Sequence, residues 1–145
     1  MQLSFTKTEL RSVVASVMES PQFSPILQAY LGGFGPRSAS RENAKQVRAR
    51  AQEHRKAPEG KCGRVFYWNH LDSKALALAK NTNVFVVTVG GDMALKYQPT
   101  TGAPVTVQMW LTDLDKQSIG DGRVEDNGIV LIYGGNIHYN GADVN

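Results

Sequence analysis

The first half of the chain has the periodicity of helices. Its first apolar stripe consists of Leu10, Val13, Val14, Val17 and Met18. These residues recur three or four positions apart, which predicts an amphipathic helix. Ser24, followed by Pro25, predicts the cap and first residue of a second short helix, which ends at Gly32-Gly33. Residues 40–57 are rich in Ala, Arg, Gln and Glu and predict a polar helix that buries little.

The second half combines one more helical segment with short strands. Asn69 or His70 is a suitable cap for a helix that continues through residues 71–79 and closes at Lys80-Asn81. Residues 84–89 are continuously apolar and β-branched, as expected of a strand buried on both faces. Further strands are predicted at residues 93–97, 105–111, 129–133 and 137–140.

In the segment 105–111, aliphatic residues at the odd positions alternate with Thr106, Gln108 and Trp110, which predicts a half-buried strand. Its inward side is expected to carry Val105, Val107, Met109 and Leu111. Residues 113–128, rich in Asp and Gly, predict a turn-rich loop. The pattern therefore predicts one α+β domain over residues 1–145, with N-terminal helices followed by a small mixed sheet with an embedded helix.

Composition narrows the functional class. Apolar residues make up 41% of the 145 residues and charged residues 20%, which excludes a disordered or low-complexity chain. No apolar run approaches the ~20 residues of a membrane span, and the first residues lack the layout of a signal peptide. The one cysteine, Cys62, excludes an internal disulfide framework. We therefore expect a cytoplasmic protein without a membrane partner.

Positive charge is concentrated between Arg37 and Lys61. This segment has eight basic and three acidic residues, a net charge of +5 in a chain whose net charge is +3. A solvated helix face is the simplest interpretation, and an acidic protein partner is the alternative. Nucleic-acid binding is the weakest, because no aromatic residue interrupts the run to stack on bases.

Candidate chemistry rests on one thiol and three imidazoles, Cys62, His54, His70 and His138. Asn140 lies two positions after His138, so in an extended segment both side chains point to the same side and the amide can set the imidazole tautomer. A zinc site is not favoured, because no CxxC or HxxxH pair exists. The aspartates of 113–121 lack the spacing of a calcium loop, so we expect no metal and no cofactor.

Three separated blocks resemble the ovarian-tumour (OTU) family of cysteine proteases, which remove ubiquitin and similar modifiers. Residues 9–14 (Glu-Leu-Arg-Ser-Val-Val) resemble the Leu-Arg-x-x-Val helix of that family. Residues 68–79 and 83–87 resemble its tryptophan, Ala-Leu-Ala and strand block. Residues 129–133, followed by His-Tyr-Asn at 138–140, resemble its terminal catalytic strand. The resemblance implies an OTU-like, papain-related domain.

The resemblance also implies roles for individual residues. His138 corresponds to the general base and Asn140 to the residue that orients it. The family nucleophile lies in an Asp-Gly-Asn-Cys element before the Leu-Arg helix, whereas here the closest element, Glu59-Gly60-Lys61-Cys62, follows that helix. With Cys62 as nucleophile, the chain is expected to be a thiol isopeptidase acting on ubiquitin or a ubiquitin-like protein. A substituted nucleophile at Ser4 is a minor alternative.

Features near Cys62 and His138 favour the catalytic interpretation. Lys61 and Arg64 flank Cys62, and positive charge lowers the pKa of a thiol. Gly134-Gly135, just before His138, could form a flap over the scissile bond. The competing interpretation is a catalytically inactive OTU-like module of viral or phage origin, kept for binding or assembly. A viral protein or effector of either kind would act in the host cytoplasm.

Overall fold

The computed structural model describes residues 7–33, 40–56, 68–88, 94–120, 128–133 and 139–141. Its helices are α1 (Lys7–Glu19), α2 (Ser24–Gly32), α3 (Ser40–Lys56), α4 (His70–Lys80) and α5 (Asp113–Gly120). Its strands are β1 (Asn83–Thr88), β2 (Ala94–Tyr97), β3 (Met109–Trp110), β4 (Gly128–Tyr133) and β5 (Tyr139–Gly141). The α+β class is confirmed. Among these helices none has the length and apolarity needed to cross a membrane.

The strands form one mixed sheet in the order β3-β2-β1-β4-β5. β1 pairs in parallel with β4 and antiparallel with β2, while β3 and β5 extend the two edges by antiparallel pairing. β1 is central, and Val84, Phe85 and Val86 are all buried. Its continuous apolar run is therefore explained by contacts on both faces of the sheet.

The main core lies between the helices and one face of this sheet. α4 is its centre, since every residue from Leu71 to Leu78 is buried. Of the two predicted caps, Asn69 and His70, it is Asn69 that caps α4, through a reciprocal capping box with Asp72. Asn81 closes it in the left-handed conformation, with φ of 49°, which asparagine tolerates better than most residues.

Helix α3 covers Ser40–Lys56 of the predicted 40–57, with residue 57 outside the described residues, but the expectation that it buries little is wrong. Its Val47, Ala51 and His54 are essentially inaccessible to solvent, and the helix packs against α1 and α2. These positions are spaced by four and three residues, so they form one narrow buried stripe on an otherwise polar helix. This stripe seats the helix on the core.

Three further expectations need correction. Ser24 is the first residue of α2 rather than its cap, which is Phe23 without a side-chain cap bond. Only two residues of 105–111 form a strand, and Met109 in that strand is exposed instead of buried. Part of the expected loop 113–128 is helix α5, because Thr112 and Asp115 form a second reciprocal cap: each backbone N–H donates to the other side chain.

Candidate functional site

A buried carboxylate joins α3 to α4. Asp72 is inaccessible to solvent and accepts hydrogen bonds from Arg50 Nε and Nη2, the latter at 2.6 Å. His54 Nε2 lies 2.5 Å from its Oδ1, and because an ionised carboxylate only accepts, the imidazole is the donor. The backbone N–H of Asn69 donates to Oδ2 at 2.7 Å. Four donors thus converge on one carboxyl group and fix the relative position of two helices.

The charge of Asp72 is retained despite this burial. Desolvation by itself raises the pKa of the carboxyl group, but hydrogen bonds from His54 and Arg50 and the charges of both hold it below its ordinary value. Trp68 extends the network, since its Nε1 donates to Ser73 Oγ at 2.8 Å and its ring lies edge-on to His54. Its centre, Asp72 with His54, is inaccessible to solvent, so the network positions the helices around it.

A cleft of about 500 Å³ opens beside this network. We call it the α3 cleft, and it is lined by Tyr30, Leu31, Gln46, Ala49, Arg50, Glu53, Asn69, His70 and Leu71. These residues come from the end of α2, the middle of α3 and the start of α4. The volume is within the range of small-molecule and peptide-anchor sites.

Two tyrosines are associated with the cleft: Tyr30 lines it, and Tyr97 contacts the lining residue His70. The Tyr30 hydroxyl donates to Gln108 Oε1 at 3.0 Å, and burial, with a smaller contribution from Tyr97, raises the pKa of Tyr30. The Tyr97 hydroxyl forms a hydrogen bond with His70 Nδ1. Desolvation lowers the pKa of His70, which favours the uncharged imidazole.

Lys74 is a second buried charge outside the cleft. Its side chain is inaccessible to solvent, and Nζ donates to the carbonyl oxygens of Gln98 at 2.6 Å and Thr100 at 3.1 Å. Burial lowers the pKa of this amine to about 8. The contact fastens the segment after β2 to α4, and its enclosure keeps the amine away from any substrate.

Most of the residues expected to carry catalysis are not among the residues that the structure describes. Cys62 and His138 lie outside the described residues, as does Gly134-Gly135. Asn140 lies in edge strand β5, opposite Ile132 of β4, and its side chain is not described. Among the residues that are described, no three potential metal ligands cluster together.

The two other histidines have different surroundings from each other. His54 belongs to the enclosed network and His70 to the cleft. Sequence reasoning missed Arg50, Asp72 and Lys74 altogether. A usable signal existed for two of them: Arg50 and His54 are four residues apart on α3, and Asp72 follows the cap Asn69 by three. No local pattern marks Lys74.

Comparison of the chain with family models, with curated proteins and with solved structures returned no match.

Proposed function

We propose that the chain is a thiol isopeptidase acting on ubiquitin or a ubiquitin-like modifier, with Cys62 as nucleophile, His138 as general base and acid, and Asn140 as the residue that orients the imidazole. The packing of the three OTU-like blocks is the observation that carries this proposal. α1, which contains the first block, packs on α4; α4 packs on β1; β1 pairs with β4, and β4 with β5. Segments more than a hundred residues apart thus form one continuous unit.

The proposed reaction follows acyl transfer through a thioester. His138 removes the proton of Cys62, and the thiolate attacks the carbonyl carbon of the isopeptide bond. His138 then returns the proton to the departing lysine amine as the C–N bond breaks. Water, deprotonated by the same imidazole, attacks the thioester, so that the modifier leaves with a free carboxylate and the thiol is regenerated.

Labelling with ubiquitin that carries a thiol-reactive C-terminal electrophile tests the proposal. We expect a covalent adduct with the wild-type chain and with Ser4→Ala, and none with Cys62→Ala. His138→Ala should slow labelling strongly, because it leaves the thiol without its base. Circular dichroism establishes that each variant is folded. An adduct that persists in folded Cys62→Ala contradicts the assignment, and one lost in Ser4→Ala moves the nucleophile to that residue.

A binding module without catalysis is the second candidate, and the α3 cleft favours it. Of the nine described residues that line the cleft, none carries a thiol, and its one hydroxyl, on Tyr30, is tied to Gln108. A surface lined by these residues can bind a ligand but provides no nucleophile to react with it. Under this alternative, the folded wild-type chain forms no adduct with the probe and Cys62 reacts with iodoacetamide at neutral pH no faster than an ordinary thiol.

A further inference from the structure

Helix α3 exposes a row of cations beside the cleft. We call Arg41, Lys45 and Arg48 the basic ridge; all three are exposed. At about 100° per residue, they lie within about 60° of one another around the helix and span about 10 Å along it. Arg55 continues the row but is paired with Glu19, to which its Nε donates at 2.6 Å. Among the described residues, no carboxylate is within ion-pair distance of the ridge.

The basic ridge and the α3 cleft form one continuous surface. Ala49 is exposed and lines the cleft, and it follows Lys45 by one helical turn. The side chain at position 49 therefore lies at the border between the two. Arg50 also lines the cleft, but Asp72 already compensates its charge, so the positive potential of this surface originates from the ridge.

We propose that this surface binds an acidic peptide segment of a partner protein that carries one large apolar anchor residue. The anchor enters the α3 cleft against Leu31, Ala49 and Leu71, where burial of apolar surface drives binding. Acidic residues next to the anchor meet the basic ridge. Glu53 also lines the cleft and disfavours an acid inside it, so the apolar anchor enters the cleft and the acidic residues stay outside it.

The same features argue against a nucleic acid as the ligand. Single-stranded nucleic acids combine backbone contacts with stacking of bases on aromatic faces. α3 carries no Phe, Trp or Tyr, and Tyr30, the only one of these residue types lining the cleft, is itself inaccessible to solvent. The proposal is independent of the thiol chemistry above, because none of its residues is a proposed catalytic group.

Fluorescence anisotropy of a labelled peptide tests the inference. The probe contains one phenylalanine followed by four glutamates, and binding is measured with the full chain and with Cys62→Ala. We expect equal affinity for both proteins, which separates this result from any failure of the isopeptidase proposal. The Lys45→Glu/Arg48→Glu double variant should bind about tenfold more weakly, since it reverses two exposed charges.

Three controls make the result specific. Ala49→Trp fills the border of the cleft and should weaken binding about tenfold, the loss expected when one anchor side chain is excluded. Lys116→Glu, which reverses one exposed charge on α5, half of the change in the double variant, should leave affinity unchanged. A peptide with serine in place of phenylalanine should bind the wild-type protein about as weakly as the original peptide binds the Ala49→Trp variant. The inference is overturned if the folded chain binds no probe, or if an oligouridylate of equal charge binds more tightly and is insensitive to Ala49→Trp.

Discussion

The α3–α4 junction and the β3–α5 edge are held together in different ways. At the junction, the Asp72 carboxylate accepts from Arg50 and His54 of α3 and from the backbone of Asn69, and both Asp72 and His54 are inaccessible to solvent. At the edge, Trp110 and Leu114 are 69% and 72% exposed. There the side-chain contacts are the Thr112–Asp115 cap, between residues three positions apart, and the pairing of Asp115 with Lys96 at 3.4 Å. One region joins two helices through a fully buried carboxylate, whereas the other is held by contacts nearer the surface.

This difference predicts how much the polar contacts of each region contribute to the free energy of unfolding. A buried carboxylate with several donors is costly to disrupt, because loss of the acceptor leaves charged groups without compensation in a medium of low polarity. A cap on a helix whose surroundings are exposed contributes far less, because water replaces the lost contact. We therefore expect substitutions at the junction to affect the whole fold and substitutions at the edge to remain local.

Asp72→Asn should be the most damaging substitution. It preserves the size of the side chain but removes the charge that compensates Arg50, and we expect a loss of about 3–5 kcal/mol in the free energy of unfolding. Urea denaturation followed by circular dichroism measures the loss. Asp113→Asn, the same change on exposed α5, should cost far less. Equal losses in both variants would contradict the distinction between the two regions.

Lys74 should make stability depend on alkaline pH. Its pKa is about 8 in the folded chain against 10.5 when unperturbed, so between these values the unfolded chain binds more protons and the free energy of unfolding rises with pH. Tyr30, whose pKa is raised above 10.0, opposes this trend above pH 10. Urea midpoints should therefore rise between about pH 8 and 10. This rise should vanish in Lys74→Met and persist in Lys116→Met.

The cap of α5 should make a modest contribution. Thr112→Ala removes the hydroxyl that accepts from the Asp115 N–H, and we expect a loss of about 1 kcal/mol. Thr112→Ser keeps that acceptor and should recover most of the loss. A cost in Thr112→Ala comparable with that of Asp72→Asn would show that the edge is coupled to the core.

Trp110→Ser should change stability least, by less than about 0.5 kcal/mol, because its side chain is mostly in solvent. The variant leaves Trp68, the other of the two tryptophans, as the single indole reporter. Since Trp68 contacts His54 and Ser73, its fluorescence should then report directly on the junction. A large loss of stability on removing Trp110 would mean that the edge supports the core.

Sequence reasoning succeeded where structure depends on near neighbours. The bounds of α3, the capping of α4 by Asn69 and the strand character of β1 follow from spacing and residue type within a few positions. It failed at α5, where a Thr-x-x-Asp cap was available but the abundance of Asp and Gly suggested a loop. It also failed at β3, because alternation does not reveal how much of an extended segment finds a pairing partner.

Some features of the candidate site likewise follow from the sequence, and others only from the tertiary structure. The sequence alone determined the α+β class, the helices that frame the cleft and the surplus of positive charge along α3, since each depends on composition and local period. Only the tertiary structure decided that Asp72 is buried with Arg50 and His54, and that the basic ridge borders an apolar cleft. The contacting residues are 22 and 18 positions apart, and burial depends on which distant segments pack together, a property that no local pattern encodes.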